Sequence, residues 1–124
     1  MNVGRIILVL GGARSGKSAF AEGLMDASGL KKAYLATGQV FDSEMESRVD
    51  LHKARRGSEW KLVEEPLDLA GALEAVSVAD TAVLVDCLTL WVTNLMMAER
   101  PTAIEADRLV DVIQTLPGTI VFVS

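Results

Sequence analysis

Near the amino terminus, Gly11-Gly12-Ala13-Arg14-Ser15-Gly16-Lys17-Ser18 has the spacing G-x-x-x-x-G-K-[ST]. Each fixed position has a physical reason. Glycine at Gly11 and Gly16 permits backbone angles and close approaches that a Cβ would block, so successive N–H groups can turn inward around phosphate oxygens. A helix starting at Lys17 or Ser18 would aim its positive end at the same anion. Lys17 would add a point charge for the β and γ phosphates, and the Ser18 hydroxyl could ligate Mg²⁺. The residues between the fixed positions, Gly12, Ala13, Arg14 and Ser15, would supply amides to the cradle. The chemistry is nucleoside triphosphate binding.

A second group fits beside it. Ala82-Val83-Leu84-Val85-Asp86 is an apolar run ending in a carboxylate. That is the pattern of an acid at the carboxyl edge of a neighbouring strand, where Asp86 would help Ser18 hold Mg²⁺. Aspartate is also a common helix cap, so the residue alone does not decide. The single histidine, His52, lies in a stretch with helical spacing. At about 100° per residue, Met45, Val49, His52 and Arg56 share one stripe, bordered by Arg48 and Arg55. A neutral imidazole among guanidiniums could attack a bound triphosphate. The same spacing also fits a packed helix residue beside a solvated basic face.

These groups need a scaffold, and the chain alternates. Apolar, β-branched runs at Arg5 to Leu10, Ala33 to Ala36, Lys61 to Glu64, Thr81 to Asp86 and Thr119 to Val123 are separated by stretches long enough for helices. The pattern predicts an α/β fold: a doubly wound, mainly parallel sheet with helices on both faces. Helix signals fall between the strands. Ser18 to Ala27 puts Phe20, Leu24 and Ala27 on one stripe, with Gly29 as a left-handed stop. Ser43 with Glu46 forms a capping box for a helix to about Arg56. Leu69, Ala70, Leu73 and Val76 make an apolar face. Leu88 to Ala98 is a further helix, and Thr102 with Glu105 caps one whose Leu109, Val112, Ile113 and Leu116 point inward. Pro117-Gly118 turns the chain into the last strand. Thr37 and Gly38, following the second strand, could border a ligand.

Composition sets the limits. In 124 residues, 12 Lys plus Arg stand against 17 Asp plus Glu, a formal charge of −5, and half the residues are apolar. The expectation is a single nucleotide-binding domain over residues 1–124 with a buried core. An acidic chain with no basic block beyond Arg55-Arg56 lacks the footprint of a nucleic-acid or anionic-membrane binder. The lone Cys87 excludes an internal disulfide framework and reads as a small core hydrophobe, and no apolar run is long enough to span a membrane. A cytoplasmic location is expected.

Taken together, these residues resemble the bifunctional adenosylcobinamide kinase and adenosylcobinamide-phosphate guanylyltransferase family of cobalamin biosynthesis. The resemblance rests on Ile7 to Ser18, on Tyr34-Leu-Ala-Thr37, and on Asp42-Ser-Glu-Met45 leading to Arg48 and His52-Lys53. It also rests on Trp60 and on Val85-Asp-Cys-Leu-Thr-Leu-Trp-Val-Thr-Asn94. It implies a P-loop NTPase-like fold and two reactions with ATP and GTP as substrates. The first phosphorylates the aminopropanol hydroxyl of adenosylcobinamide. The second transfers GMP from GTP to the product through a phosphoramidate on a histidine, here His52, with Arg48 and Lys53 as helpers. The resemblance further implies a homotrimer and a longer family fold of which this chain is an N-terminal portion, its last strand left with an unprotected edge. Short of it, the residues fit another small-molecule kinase or nucleotide hydrolase, or a non-catalytic nucleotide-binding fragment.

Overall fold

A computed structural model of the chain describes residues 5–11, 16–38 and 60–124, without the side chains of Ser18 and Trp60. Five strands appear among them: β1 (Ile6–Val9), β2 (Lys31–Ala36), β3 (Trp60–Glu64), β4 (Thr81–Asp86) and β5 (Thr119–Val123). The helices are α1 (Lys17–Ala27), α2 (Leu69–Val76), α3 (Leu88–Met97) and α4 (Thr102–Ile113). The strands form one sheet in the order β1-β5-β4-β2-β3, and every pairing is parallel. All six residues of β4 are buried, as a continuous apolar run requires when helices cover both faces.

Period-two alternation assigns the faces. Ala21 and Met25 of α1 pack with Val9, Tyr34, Ala36, Ala82, Leu84, Val121 and Val123. The intervening strand residues Ala33, Leu35, Val83, Val85, Ile120 and Phe122 pack with Leu69 and Leu73 of α2, Trp91 and Leu95 of α3, and Leu109 of α4. Thus α1 covers one face and α2 to α4 the other. The expected apolar face of α2 is buried in full. Gly118, in the turn before β5, faces a close approach of backbone: a Cβ there would stand 2.5 Å from the Val78 carbonyl oxygen and 2.6 Å from that of Thr81.

Four expectations are corrected. On α1 the inward residues are Ala21 and Met25, with Leu24 half-buried, whereas Phe20 is 63% exposed and Ala27 is exposed. The helix lies over β4 and β5, so Phe20 projects past the sheet at β1. Thr102 does not cap α4: Pro101 occupies the N-cap position, with its carbonyl accepting from the Glu105 amide at 3.1 Å, and Thr102 is already helical. Proline's fixed φ suits that entry and starts the helix one residue early. The last strand has no open edge, because β5 pairs with β1 on one side and β4 on the other. On that side the edge strand is β1, where Ile6 and Leu8 are 46% and 54% exposed because the helices covering Ile120 and Phe122 do not reach them. Finally, Cys87 is only half-buried.

The expected stop at Gly29 is present, with φ +69°. The helix predicted from Ser43 lies outside the described residues, and no helix among those described is long and apolar enough to cross a membrane.

At the start of α2, Asp68 accepts from the Gly71 amide at 3.1 Å and from Arg108 Nη1 at 2.6 Å. Partial burial pushes its carboxyl up, but the bonds from Arg108 and Gly71, with the guanidinium's charge, hold it below the usual carboxylate range. Asp68→Ala is expected to cost about 1 kcal/mol of stability at neutral pH, the ordinary value of such a cap. Because the folded group is the stronger acid, that contribution is present above the ordinary carboxylate pKa and fades as pH falls through the lowered one. Denaturant unfolding of the two chains at pH 7 and pH 3 should therefore show the difference shrinking with acid.

Candidate functional site

The phosphate-loop frame is built at the exit of β1. The Ser124 amide donates to the Val9 carbonyl at 3.0 Å, and the Gly11 amide donates to the Ser124 carbonyl at 3.3 Å, carrying the β1–β5 ladder past the strand ends. Gly16 forms the N-cap of α1 at φ 81°, ψ 10°, a left-handed conformation that a Cβ would strain. Its carbonyl accepts from the Phe20 amide at 3.0 Å and so opens the helix ladder. Lys17 is the first helical residue, and its ammonium donates back to the Gly11 carbonyl at 2.7 Å. The lysine thus bridges the two ends of the loop. Gly12, Ala13, Arg14 and Ser15 lie outside the described residues. Beside this frame a cavity of about 420 Å³ is walled by β1, Gly16, Lys17 and Phe20; Asp86 is not part of its lining.

Asp86 ends β4, but β4 is not the neighbour of β1: β5 lies between them. A strand order is set by which apolar faces pair across the sheet, and the run Ala82 to Asp86 cannot report it. Register places Asp86 across from Val123 of β5, which in turn sits across from Val9, so the acid and the loop share the sheet's carboxyl edge. Alternation puts Asp86 on the face covered by α1. Its side chain is 2% exposed, and Oδ2 accepts from the Tyr34 hydroxyl at 2.6 Å. It does not cap α3, whose N-cap is Cys87 and carries no side-chain cap bond.

The edge around Asp86 is tied down by Thr37 and by Trp91 and Asn94 of α3, ties that spacing along the chain does not reveal. Thr37 is fully buried; its amide donates to the Asp86 carbonyl at 3.0 Å, and its hydroxyl donates to the Cys87 carbonyl at 2.8 Å while accepting from the Cys87 amide at 2.9 Å. Asn94, on α3, donates to the carbonyls of Thr37 at 2.6 Å and Pro66 at 3.1 Å. Trp91 Nε1 donates to the Leu67 carbonyl at 2.8 Å. One helix therefore holds the loops after β2 and β3 at fixed height, which rigidifies the edge on which a ligand would rest. Thr37 is a structural tie here, although Gly38 beside it is also buried. The Thr89 and Ser124 hydroxyls, 2.7 Å apart, add a small exposed polar pair between the loop frame and β4. The signal for Tyr34 was present in part: it lies two residues before Ala36, the register partner of Asp86, and so on the same face.

Arg48, His52 and Lys53 lie outside the described residues. Among those described, the candidate residues are Gly11, Gly16, Lys17 and Asp86.

Comparison with known proteins supports a narrower reading. The family described as cobinamide kinase / cobinamide phosphate guanyltransferase matches residues 7–124. The bifunctional adenosylcobalamin biosynthesis protein CobP of Pseudomonas aeruginosa is 48% identical over 94% of this chain and 69% of its own length. The CobU proteins of Salmonella typhimurium and Escherichia coli are 44% and 42% identical, and there the chain spans about half of the relative's length, 51% and 50%. Among solved structures, the RadB recombinase matches with TM-score 0.54 and 19% identity, covering 99% of this chain and 62% of that one. That likeness concerns the fold alone and fits a P-loop NTPase-like sheet.

Proposed function

Because the chain belongs to the cobinamide kinase / cobinamide phosphate guanyltransferase family, we propose that it binds nucleoside triphosphates at Gly11 to Ser18 and takes part in both reactions of that family. In the first, the aminopropanol hydroxyl of adenosylcobinamide attacks the γ phosphorus and the nucleoside diphosphate leaves. In the second, a nitrogen of His52 attacks the α phosphorus of GTP, a P–N bond forms, and pyrophosphate leaves. The phosphate oxygen of adenosylcobinamide phosphate then displaces the imidazole to give adenosylcobinamide-GDP.

The observation that carries the nucleotide reading is the left-handed Gly16 followed at once by a helix whose first residue, Lys17, donates from its ammonium to the Gly11 carbonyl. That arrangement presents helix amides and an ammonium to one anion. Lys17 neutralises charge developing on the phosphates, and Arg48 and Lys53 assist at the α phosphorus. Phosphoryl transfer depends mainly on positioning and charge, so the loop and Lys17 suffice for the kinase step without an assigned base.

Asp86 and Ser18 are the residues that would hold Mg²⁺. The fit rests on donor chemistry: Asp86 is a single buried carboxylate at the carboxyl edge, and Mg²⁺ is typically held by one or two carboxylates together with substrate phosphates and water. Bound there, the ion would supply positive charge to the phosphate oxygens. The substrates are small molecules; a homotrimer and a cytoplasmic location complete the reading.

Two labels of GTP test it. With α-labelled GTP and Mg²⁺ the chain should acquire an acid-labile nucleotide adduct, and with a γ-labelled triphosphate and cobinamide the label should pass to the corrinoid. A chain that binds GTP yet does neither would be a nucleotide-binding module rather than the enzyme.

A further inference from the structure

Tyr34 is the chain's single tyrosine. Its side chain is 2% exposed, packed among Ala36, Ala82, Leu84 and Met25 beneath α1. Nothing about apolar packing demands a phenol there: a phenylalanine would fill the same space. A buried hydroxyl needs a partner, and this one donates at 2.6 Å to Oδ2 of Asp86, itself 2% exposed. Register explains the reach. Tyr34 sits across from Leu84 and Ala36 across from Asp86, so the phenol runs diagonally along one face of neighbouring strands toward the carboxyl edge. The distance is that of a strong hydroxyl-to-carboxylate bond.

We propose that Tyr34 is a positioning residue for nucleotide-bound Mg²⁺, fixing the orientation of the Asp86 carboxylate from beneath through its hydroxyl. This inference rests on the reading of Asp86 as the Mg²⁺-holding acid. Aspartate has two side-chain torsions, and the bond to Tyr34 removes rotation about the second. Ligating carboxylates are themselves commonly held by such outer hydrogen bonds, whose loss weakens metal binding about 10–100-fold.

The test separates metal coupling from packing. GTP affinity is titrated with and without Mg²⁺ for the wild-type chain, Tyr34→Phe and Asp86→Asn. In Tyr34→Phe the Mg²⁺ concentration giving half of the metal-dependent gain in affinity should rise about tenfold, while affinity in EDTA stays at its wild-type value. An unchanged Mg²⁺ requirement overturns the proposal. So does an equal loss with and without Mg²⁺, which would make the hydroxyl a structural tie. If Asp86→Asn keeps the wild-type Mg²⁺ dependence, the parent reading of Asp86 falls first.

A second measurement needs no substitution. Because there is one tyrosine, 3-fluorotyrosine incorporated throughout gives one protein ¹⁹F signal, from Tyr34. It should shift when GTP and Mg²⁺ are added together and stay in place when GTP is added in EDTA. A signal indifferent to Mg²⁺ overturns the proposal even if Tyr34→Phe fails to fold.

Discussion

Lys17→Ala is expected to lower triphosphate affinity by about 10–100-fold, the value of losing a hydrogen bond from a charged group to an anion. Turnover of the phosphoryl transfer falls by about 10²–10³ beyond that, because the ammonium acts most strongly on charge that builds up as the γ phosphoryl departs. Lys17 is the first residue of α1, and its ammonium donates to the Gly11 carbonyl. Lys17→Arg should restore binding only in part, since a planar fork is not a compact point charge. Equilibrium titration with a fluorescent GTP analogue and single-turnover kinetics measure both effects. Affinity unchanged by Lys17→Ala would contradict the phosphate-loop assignment itself.

His52→Ala is expected to abolish covalent attachment of label from α-labelled GTP and to leave γ-phosphoryl transfer in place. The chain has one histidine, so no second imidazole can take over the phosphoramidate. Mass spectrometry after incubation with GTP and Mg²⁺ reads the adduct directly. Retained labelling in His52→Ala would remove His52 from the second reaction and leave the first untouched. Loss of γ transfer as well would place His52 in the nucleotide cradle rather than at the α phosphorus.

The two variants divide the site as the proposed chemistry divides it. One removes charge shared by both reactions, the other a nucleophile used by one. With Tyr34→Phe, which should alter only the Mg²⁺ requirement, they separate phosphate binding, covalent transfer and metal coupling by three different readouts.

Much of this was legible in the residues themselves. Gly16 and Lys17 at the start of α1 follow local signals, because a left-handed glycine ahead of a helix is set by a few torsions. Strand limits were readable for the same reason. Thr81 to Asp86 and Thr119 to Val123 have the boundaries expected of them, since β-branched runs bounded by turn residues are local signals. Local rules failed where two starts competed, as at Pro101 and Thr102, and where a helix's inner face depended on where the sheet ended, as at Phe20.

What spacing along the chain could not contain is distance across the fold. The placement of β5 between β1 and β4 was decided by the faces that Ile120, Phe122, Val121 and Val123 present to helices on either side, a choice made by burial over the whole domain. The bond from Tyr34 to Asp86 joins residues 52 apart in sequence, and the ties from Thr37 to Cys87 and from Asn94 to Thr37 span 50 and 57. Hydrogen bonds at such separations follow from strand order and register, because only packing brings those backbones side by side. The sequence by itself determined which chemistry this protein carries and which segments bear it. The tertiary structure alone decided which side chains hold the acid in place.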